Sequence, residues 1–458
     1  MESSYQIDQV SSEGISQFAY VITSEGESVV IDPPRDWSLI NSTVISRSAK
    51  IRYVYLTHMH ADFVAGHASL QQASGAELIV AKGSAFTGEF KAVEDGQILP
   101  LGKVELKILA TPGHTLDSSC LVLIENGKDK AIFTGDTVFL GEVGRPDLSV
   151  DPAITPEKLA GLLYDSVQKI KALADDVVVY PGHGAGSACG KSIAPGKSST
   201  VGEQKSTNYA LKAETKEDFV AKITNKLPPP APYFFNSVEL NLNSKLESAE
   251  EFAKNKKKFL NSEEFEAVSK TEGVFIIDSR PSEEFRKSSI PGSLSFPLLK
   301  FEYFLTIYLI PIHRLLLISP QGSEDLILKK LALLGYHNFE GFLEGGFEGW
   351  TGIKQSVRTI SVEDFIKKEL GPNESPLDVR SVPETSTFVK GAVFLPTIKL
   401  IEEADKLEKC KTYYAYCQMG GRALSTTSYL LGKGVNVIAV NPGFAEIGKH
   451  PEIVDKRE

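Results

Sequence analysis

Cysteine is scarce in this chain, and that already excludes one class of protein. Cys120, Cys189, Cys410 and Cys417 are four thiols among 458 residues. They are too few and too scattered to staple a small secreted scaffold, so a reducing cytoplasm is the expected compartment. Long apolar runs are missing too: residues 303–318 are interrupted by Pro311, His313 and Arg314, which leaves no candidate membrane span. Basic charge is in deficit, with 49 Lys and Arg against 59 Asp and Glu and a net charge of -10. Such a chain is not expected to hold nucleic acid. Residues 1–10 are polar and lack the basic, apolar and small-residue order of a signal peptide.

Composition is otherwise globular, 42% hydrophobic and 24% charged, and the length suggests about three domains. Histidine is concentrated rather than abundant: of eight, His58, His60, His67, His114 and His183 fall in the first 183 residues. Residues 56–67 read L-T-H-M-H-A-D-F-V-A-G-H after an apolar, strand-like run. His58, His60 and Asp62 thus recur at every second position, and residues at a strand end with that spacing can converge on one ion. Three more strand-and-turn units end in a ligand type: T-P-G-H-T with His114, T-G-D-T with Asp136, and Y-P-G-H-G with His183. Ligand sites of αβ sheets lie beyond strand ends, and four such turns within about 130 residues argue for one site. Residues 64–74 read as a helix closed by Gly75, within which His67 is expected to pack or cap.

This set resembles the signature of the metallo-β-lactamase superfamily, T-H-x-H-x-D-H, met everywhere but at its last place. Position 63 is Phe where the dinuclear hydrolases of that superfamily carry a histidine for a second metal. A second ion would be left with Asp62, His183 and a bridging Asp136, which disfavours a two-zinc hydrolase. Two imidazoles and one carboxylate with open positions are the donors of non-haem Fe(II) oxygen chemistry, and His58, His114 and Asp136 can supply them. The runs G-D-T-V-F-L-G-E-V-G-R-P-D at 135–147 and P-G-H-G-A-G-S-A-C-G at 181–190 narrow the resemblance to persulfide dioxygenases, especially those fused to rhodanese domains.

That resemblance implies an αββα sandwich holding one Fe(II) per chain, with zinc as the alternative. His60, Asp62 and His183 are implied as additional ligands or as residues orienting ligands and water. Arg145 either holds the carboxylate of a thiol carrier or pairs with Asp147 to brace a loop. Cys189 is either a sulfur acceptor at the metal's mouth or an inert loop thiol. Cys120 is expected in the core and Cys410 at the surface.

Beyond the proline-rich stretch 228–232 the chain repeats itself. V-F-I-I-D-S-R at 274–280 and P-L-D-V-R at 376–380 are the same strand ending in Asp-x-Arg. Strands at 315–318 and 413–416 then run into a loop and a helix. The pattern is similar to the rhodanese fold, twice over. In the second copy Cys417-Gln418-Met419-Gly420-Gly421-Arg422 fits the rhodanese loop C-x-x-G-x-R. Backbone N–H groups of Gly420 and Gly421 at a helix N-terminus, with the Arg422 charge, favour a thiolate or persulfide anion. Gly432 is expected to cap that helix. The first copy carries Ser319-Pro320-Gln321-Gly322-Ser323-Glu324 in the corresponding place. No cysteine lies between Cys189 and Cys410, so that copy cannot carry sulfur on a thiol.

The expected class is therefore α/β and multidomain. Residues 1–243 form the metallo-β-lactamase-like sandwich, 244–355 a cysteine-free rhodanese-like domain and 356–458 a rhodanese domain with Cys417. The expected chemistry is oxidation of a low-molecular-weight thiol persulfide (glutathione, coenzyme A or bacillithiol type) by O2 to sulfite and thiol. Cys417 would move sulfane sulfur between persulfide, sulfite and thiosulfate. A homo-oligomer is the expected state. A glyoxalase II-like thioester hydrolase is the rival enzyme and predicts a histidine at 63. A sulfur-relay module without a metal is the rival of another class and predicts eroded ligands.

Overall fold

The computed structural model describes residues 3–148, 153–227 and 229–457. They form two compact units, residues 1–253 with 331–335, and residues 254–330 with 336–458.

In the first unit, six strands lie in chain order in one sheet: Gln6–Ser12, Gln17–Ser24, Glu27–Ile31, Lys50–Tyr55, Glu77–Ala81 and Lys91–Val93. A second sheet has the order Ser199–Thr200, Val178–Pro181, Lys128–Gly135, Ser119–Glu125, Val104–Ala110, Ile98–Leu101. The inner strands, such as Gln17–Ser24 and Ser119–Glu125, are buried on both faces because both faces are covered. Tyr20, Ile22, Ile31, Tyr53 and Tyr55 join Leu106, Ile108, Leu121, Leu123 and Phe133 in the core between the sheets. Their alternate neighbours Ala19, Val21, Val30 and Val54 face an outer layer with Ile40, Val44 and Leu70 of the helices Ser38–Ser46 and His67–Ser74. Cys120, Val122 and Ile132 face the helices Pro156–Lys171 and Lys216–Thr224 on the other side. This is the αββα sandwich, and the period of two along each strand builds it.

The helix Pro156–Lys171 begins as its sequence dictates, with Thr155 accepting from the Lys158 N–H and Pro156 in the first turn. The helix expected from Val64 starts later, at His67. The Phe63 carbonyl accepts from the Asn241 amide at 2.9 Å and the Val64 carbonyl from the Arg35 N–H at 3.2 Å, so the carbonyls that would open a first helical turn are engaged by tertiary partners. No helix among the described residues is long and apolar enough to cross a membrane.

The second unit contains two five-stranded sheets of identical topology. One runs Phe259–Leu260, Phe339–Leu343, Arg314–Ile318, Val274–Asp278, Leu294–Ser295; the other Thr359–Ser361, Asn436–Asn441, Thr412–Tyr416, Glu374–Asp378, Val393–Phe394. All pairings within them are parallel. The Asp-x-Arg repeat has one geometry in both copies. Arg280 grips Asp278 and lies 3.7 Å over the Phe347 ring, while Arg380 grips Asp378 and lies 3.6 Å over Phe444. The helix Gly421–Gly432 does not end on an αL Gly432: the left-handed residue is Gly434, φ 78°. Gly432 is required for a different reason, since a Cβ there would lie 2.3 Å from the Gly292 Cα in the other copy.

Candidate metal centre and thiol loop

The turn that follows Lys50–Tyr55 is pinned by Asp32, whose two carboxylate oxygens accept from the Thr57 N–H and the Thr57 hydroxyl, both at 2.8 Å. Thr57 Oγ1 lies 2.9 Å from His58 Nδ1. Because that hydroxyl already donates to Asp32, it accepts from Nδ1–H and leaves the His58 Nε2 lone pair free. His114 reaches the same state by another route: its Nδ1 lies 2.8 Å from the Arg145 carbonyl, which can only accept. Asp136 Oδ2 is 3.9 Å from His58 Nε2 and 3.5 Å from His114 Nε2. The ligand atoms of His58, His114 and Asp136 all lie within 4.8 Å of one another, and all three residues are buried. Burial, followed by repulsion from His60, His114 and His183, pushes the His58 imidazole well below its usual pKa, which keeps it neutral and able to ligate.

A second group lies beside the first. Asp62, His183 and Cys189 also place their ligand atoms within 4.8 Å of one another, with His183 Nε2 3.2 Å from Asp62 and 3.5 Å from the other oxygen of Asp136. The loop 184–189 brings Cys189 back onto the ligand turns, beside the Asp62, His183 and Asp136 donors that the sequence offers a second ion. Asp136 thus faces each group with one oxygen. His60 joins neither group: its Nε2 faces Asp32 at 3.1 Å. Phe63, 0% exposed, packs its ring 4.4 Å from His60 and 6.5 Å from His183. His67 is buried at the start of its helix against Phe86, 5.0 Å between rings, and burial pushes its pKa down to about 3.

Close packing around Asp136 needs glycine. A Cβ at Gly144 would stand 2.0 Å from the Asp136 carbonyl and 2.9 Å from His114 Nδ1. The neighbouring Arg145 turns its fork onto Asp147, with Nε and Nη2 each 2.7 Å from a carboxylate oxygen. Its backbone also matters: the carbonyl holds His114, and the N–H donates to the Cys189 carbonyl at 3.1 Å. Asn241 ties the ligand turn from a distant helix, donating to the carbonyls of His60 and Phe63 at 2.9 Å each and accepting from Ala65. Neither Asp32 nor Asn241 is among the candidates that the sequence names. An Asp-Pro-Pro turn was the available signal for the first, and the second had none.

In the second unit Cys417 follows the strand Thr412–Tyr416 and is 2% exposed. The Gly420 N–H, at a residue with φ 91°, donates to Cys417 Sγ at 3.1 Å. Arg422 forks onto Glu384 with contacts of 2.7 and 2.6 Å, a partner that sequence reasoning missed. Burial works against the Glu384 carboxylate, yet the Arg422 fork and Ser381 outweigh it and bring its pKa down to about 2. In the other copy, Ser319 and the Gly322 N–H both donate to Glu324, at 3.2 and 3.3 Å. Cys120 is buried in its strand and Cys410 is exposed.

Comparisons with known proteins agree with this architecture. Residues 13–183 match the metallo-beta-lactamase superfamily, and residues 261–353 and 362–450 each match the rhodanese-like domain. A probable polyketide biosynthesis zinc-dependent hydrolase of Bacillus subtilis is 30% identical over 42% of this chain and 85% of its own length. A hydroxyacylglutathione hydrolase of Dictyostelium discoideum is 32% identical over 36% of this chain, which spans 61% of that protein. The crystal structure of a metallo-beta-lactamase from Staphylococcus aureus superposes with a TM-score of 0.65 at 26% identity, covering 74% of this chain and 99% of that one. The chain belongs to the metallo-beta-lactamase superfamily. It adds to that domain two rhodanese-like domains, and its buried His and Asp groups are those of a metal-binding enzyme of the superfamily.

Proposed function

We propose that the first domain is a non-haem Fe(II) persulfide dioxygenase and that Cys417 carries sulfane sulfur between a low-molecular-weight persulfide, sulfite and thiosulfate. The observation that supports this reading is the first donor group, two imidazoles with Nδ1–H tied down and one carboxylate. His58 Nε2 and both Asp136 oxygens are buried and hydrogen-bond to nothing among the described residues. Unpaired buried acceptors are costly, and a cation would satisfy them. Fe(II) held there would bind O2 and relay to it the four electrons that the terminal sulfur of R–S–S⁻ gives up on oxidation to sulfite, water supplying the third oxygen and R–SH leaving.

The chain's own residues then have definable work. Thr57, Asp32 and the Arg145 carbonyl fix the orientation of His58 and His114, and Phe63 packs against His60 where an imidazole would serve a second ion. At the thiol loop, the Cys417 thiolate attacks the outer sulfur of R–S–SH, forming Cys417–S–SH and releasing R–S⁻. The Gly420 N–H and the N-terminus of Gly421–Gly432 stabilise the anion before and after. A carrier of glutathione, coenzyme A or bacillithiol type fits this chemistry equally.

A two-zinc hydrolase is the second reading, and Cys189 is the observation that favours it. Zinc accepts thiolate, imidazole and carboxylate donors together, and the group of Asp62, His183 and Cys189 offers one of each. Anaerobic metal analysis with an oxygen electrode separates the two. About one iron per chain and persulfide-dependent O2 uptake, abolished in His114→Ala, are expected of the dioxygenase. Two zinc ions per chain without O2 uptake would return the domain to the hydrolases.

A further inference from the structure

The motif C-x-x-G-x-R leaves position 421 open, and this chain places glycine there. The copy without a thiol supplies the reason: on its helix Phe301–Tyr308, the Phe304 ring would stand 3.2 Å from a Cβ at Gly421. One turn further along that helix, the Tyr308 hydroxyl donates to the Arg422 carbonyl at 2.7 Å. Thr426 Oγ1 lies 2.9 Å from the phenol oxygen and, because the phenol proton is already spent, donates to it. The Ser295 N–H adds a bond to Ser425 Oγ at 3.1 Å. All of these contacts fall on residues 421–426, the opening turns of the helix that follows Cys417.

Those turns carry the donors that a sulfur anion meets. The Gly420 N–H already reaches Cys417 Sγ at 3.1 Å, and the N–H groups that follow it have no helical carbonyl to receive them. Arg422 is held at both ends, its guanidinium by Glu384 at 2.7 and 2.6 Å and its carbonyl by Tyr308. The first partner belongs to the copy that carries Cys417, the second to the copy that lacks a thiol. An α-helical carbonyl ordinarily serves the N–H four residues on; at Arg422 the other copy adds a second donor. Tyr308 is buried, and burial pushes its phenol pKa up, so the hydroxyl stays a donor at neutral pH.

We propose that Tyr308, contributed by the cysteine-free copy, is a positioning residue of the Cys417 site, fixing the first turn of the helix Gly421–Gly432 so that its N–H groups face the sulfur anion. The proposal rests on the sulfur-transfer reading of Cys417. In that step the Cys417 thiolate attacks the outer sulfur of R–S–SH; the Cys417–sulfur bond forms, the bond between the two carrier sulfurs breaks, and R–S⁻ leaves with its electron pair. The outer sulfur keeps its proton, and no external oxidant or reductant enters. Negative charge sits on Cys417 before the step and on its persulfide once that proton is lost, and both anions draw on the same donors. Tyr308 touches neither sulfur and acts through the Arg422 carbonyl. The copy without a thiol thereby tunes the copy that has one.

The test uses the full chain under anaerobic single-turnover conditions with glutathione persulfide, following by mass spectrometry the gain of one sulfur atom at Cys417. Tyr308→Phe keeps the ring and removes only the hydroxyl, leaving Arg422 and Glu384, the charges at the loop, in place. It should load about fivefold more slowly, and the midpoint of Cys417 alkylation by iodoacetamide against pH should rise by about half a unit. Thr426→Val removes the phenol's other partner and should move both readouts the same way by less; should Tyr308→Phe fail to fold, this variant decides. Gln355→Leu removes a bond to Ser428 Oγ further along the same helix and should leave both readouts unchanged. A Tyr308→Phe chain that unfolds at lower urea yet loads and alkylates like wild type would overturn the proposal, as would equal shifts in Gln355→Leu. Absence of loading in the wild-type chain would instead sink the sulfur-transfer reading, and this proposal with it.

Discussion

The two rhodanese-like copies share a sheet order and an Asp-x-Arg grip closed by a phenylalanine ring, and they differ in what fills the loop. Around Cys417 the Gly420 N–H points at sulfur. Around Ser319 the equivalent Gly322 N–H points at the Glu324 carboxylate, the chain's own anion. Arg422, whose place Glu324 takes, is neutralised in turn by Glu384. The comparison teaches that fold and chemistry are stored in different residues. The scaffold resides in Arg280, Asp278 and Phe347, or Arg380, Asp378 and Phe444, whereas reactivity resides in a loop of six residues that can be exchanged without disturbing them.

The sharpest way to break the comparison is at the sulfur. Cys417→Ser should lower persulfide-to-cyanide sulfur transfer by about a thousandfold or more. Adding Ser319→Cys to that variant should restore none of it, because Glu324 already occupies the cradle; thiocyanate formation measures both. Next in size is the contact between the copies. Gly432→Ala puts a methyl against the Gly292 backbone and should cost about 2–3 kcal/mol in urea unfolding. Gly434→Ala meets only open space at φ +78° and should cost about 1 kcal/mol.

The Arg422–Glu384 pair is a smaller lever, and its pH dependence has a definite sign. Glu384 is held at about 2, below the usual carboxylate value of about 4.3. Its contribution is therefore complete above that value and is lost as pH falls towards 2. With allowance for its partial exposure, Glu384→Gln should cost roughly 1 kcal/mol at neutral pH. The gap in unfolding midpoints between wild type and variant should close below about pH 4. An unchanged gap across that range would show that the pair contributes nothing through charge. Smallest of all, Ser319→Ala removes one hydroxyl contact to Glu324. It should shift stability by less than about 1 kcal/mol and leave Cys417 loading unchanged.

What could be read in the sequence follows from how local each feature is. The four ligand turns, the Cys417 loop and the repeated Asp-x-Arg each sit within a few consecutive residues, so periodicity and turn chemistry were enough to find them. Two partners arrive from far along the chain with no local mark. Glu384 meets Arg422 across 38 residues, and Asn241 meets Ala65 across 176. The late start of the helix at His67 has the same origin, since local propensity cannot know that the Phe63 and Val64 carbonyls are engaged by Asn241 and Arg35.

The three hydrogen bonds of Asn241 also set how this gene product can be rearranged. The prolines at 228–232 read as a stiff joint that falls short of the expected domain end at 243. The helix Phe234–Asn241 lies beyond that joint but holds the carbonyls of His60 and Phe63. A sandwich transplanted without it would carry every ligand and lose the clasp that shapes their turn. Recombination at the prolines therefore severs the centre from its support, and inheritance of this domain as an intact unit requires the breakpoint to fall after Asn241.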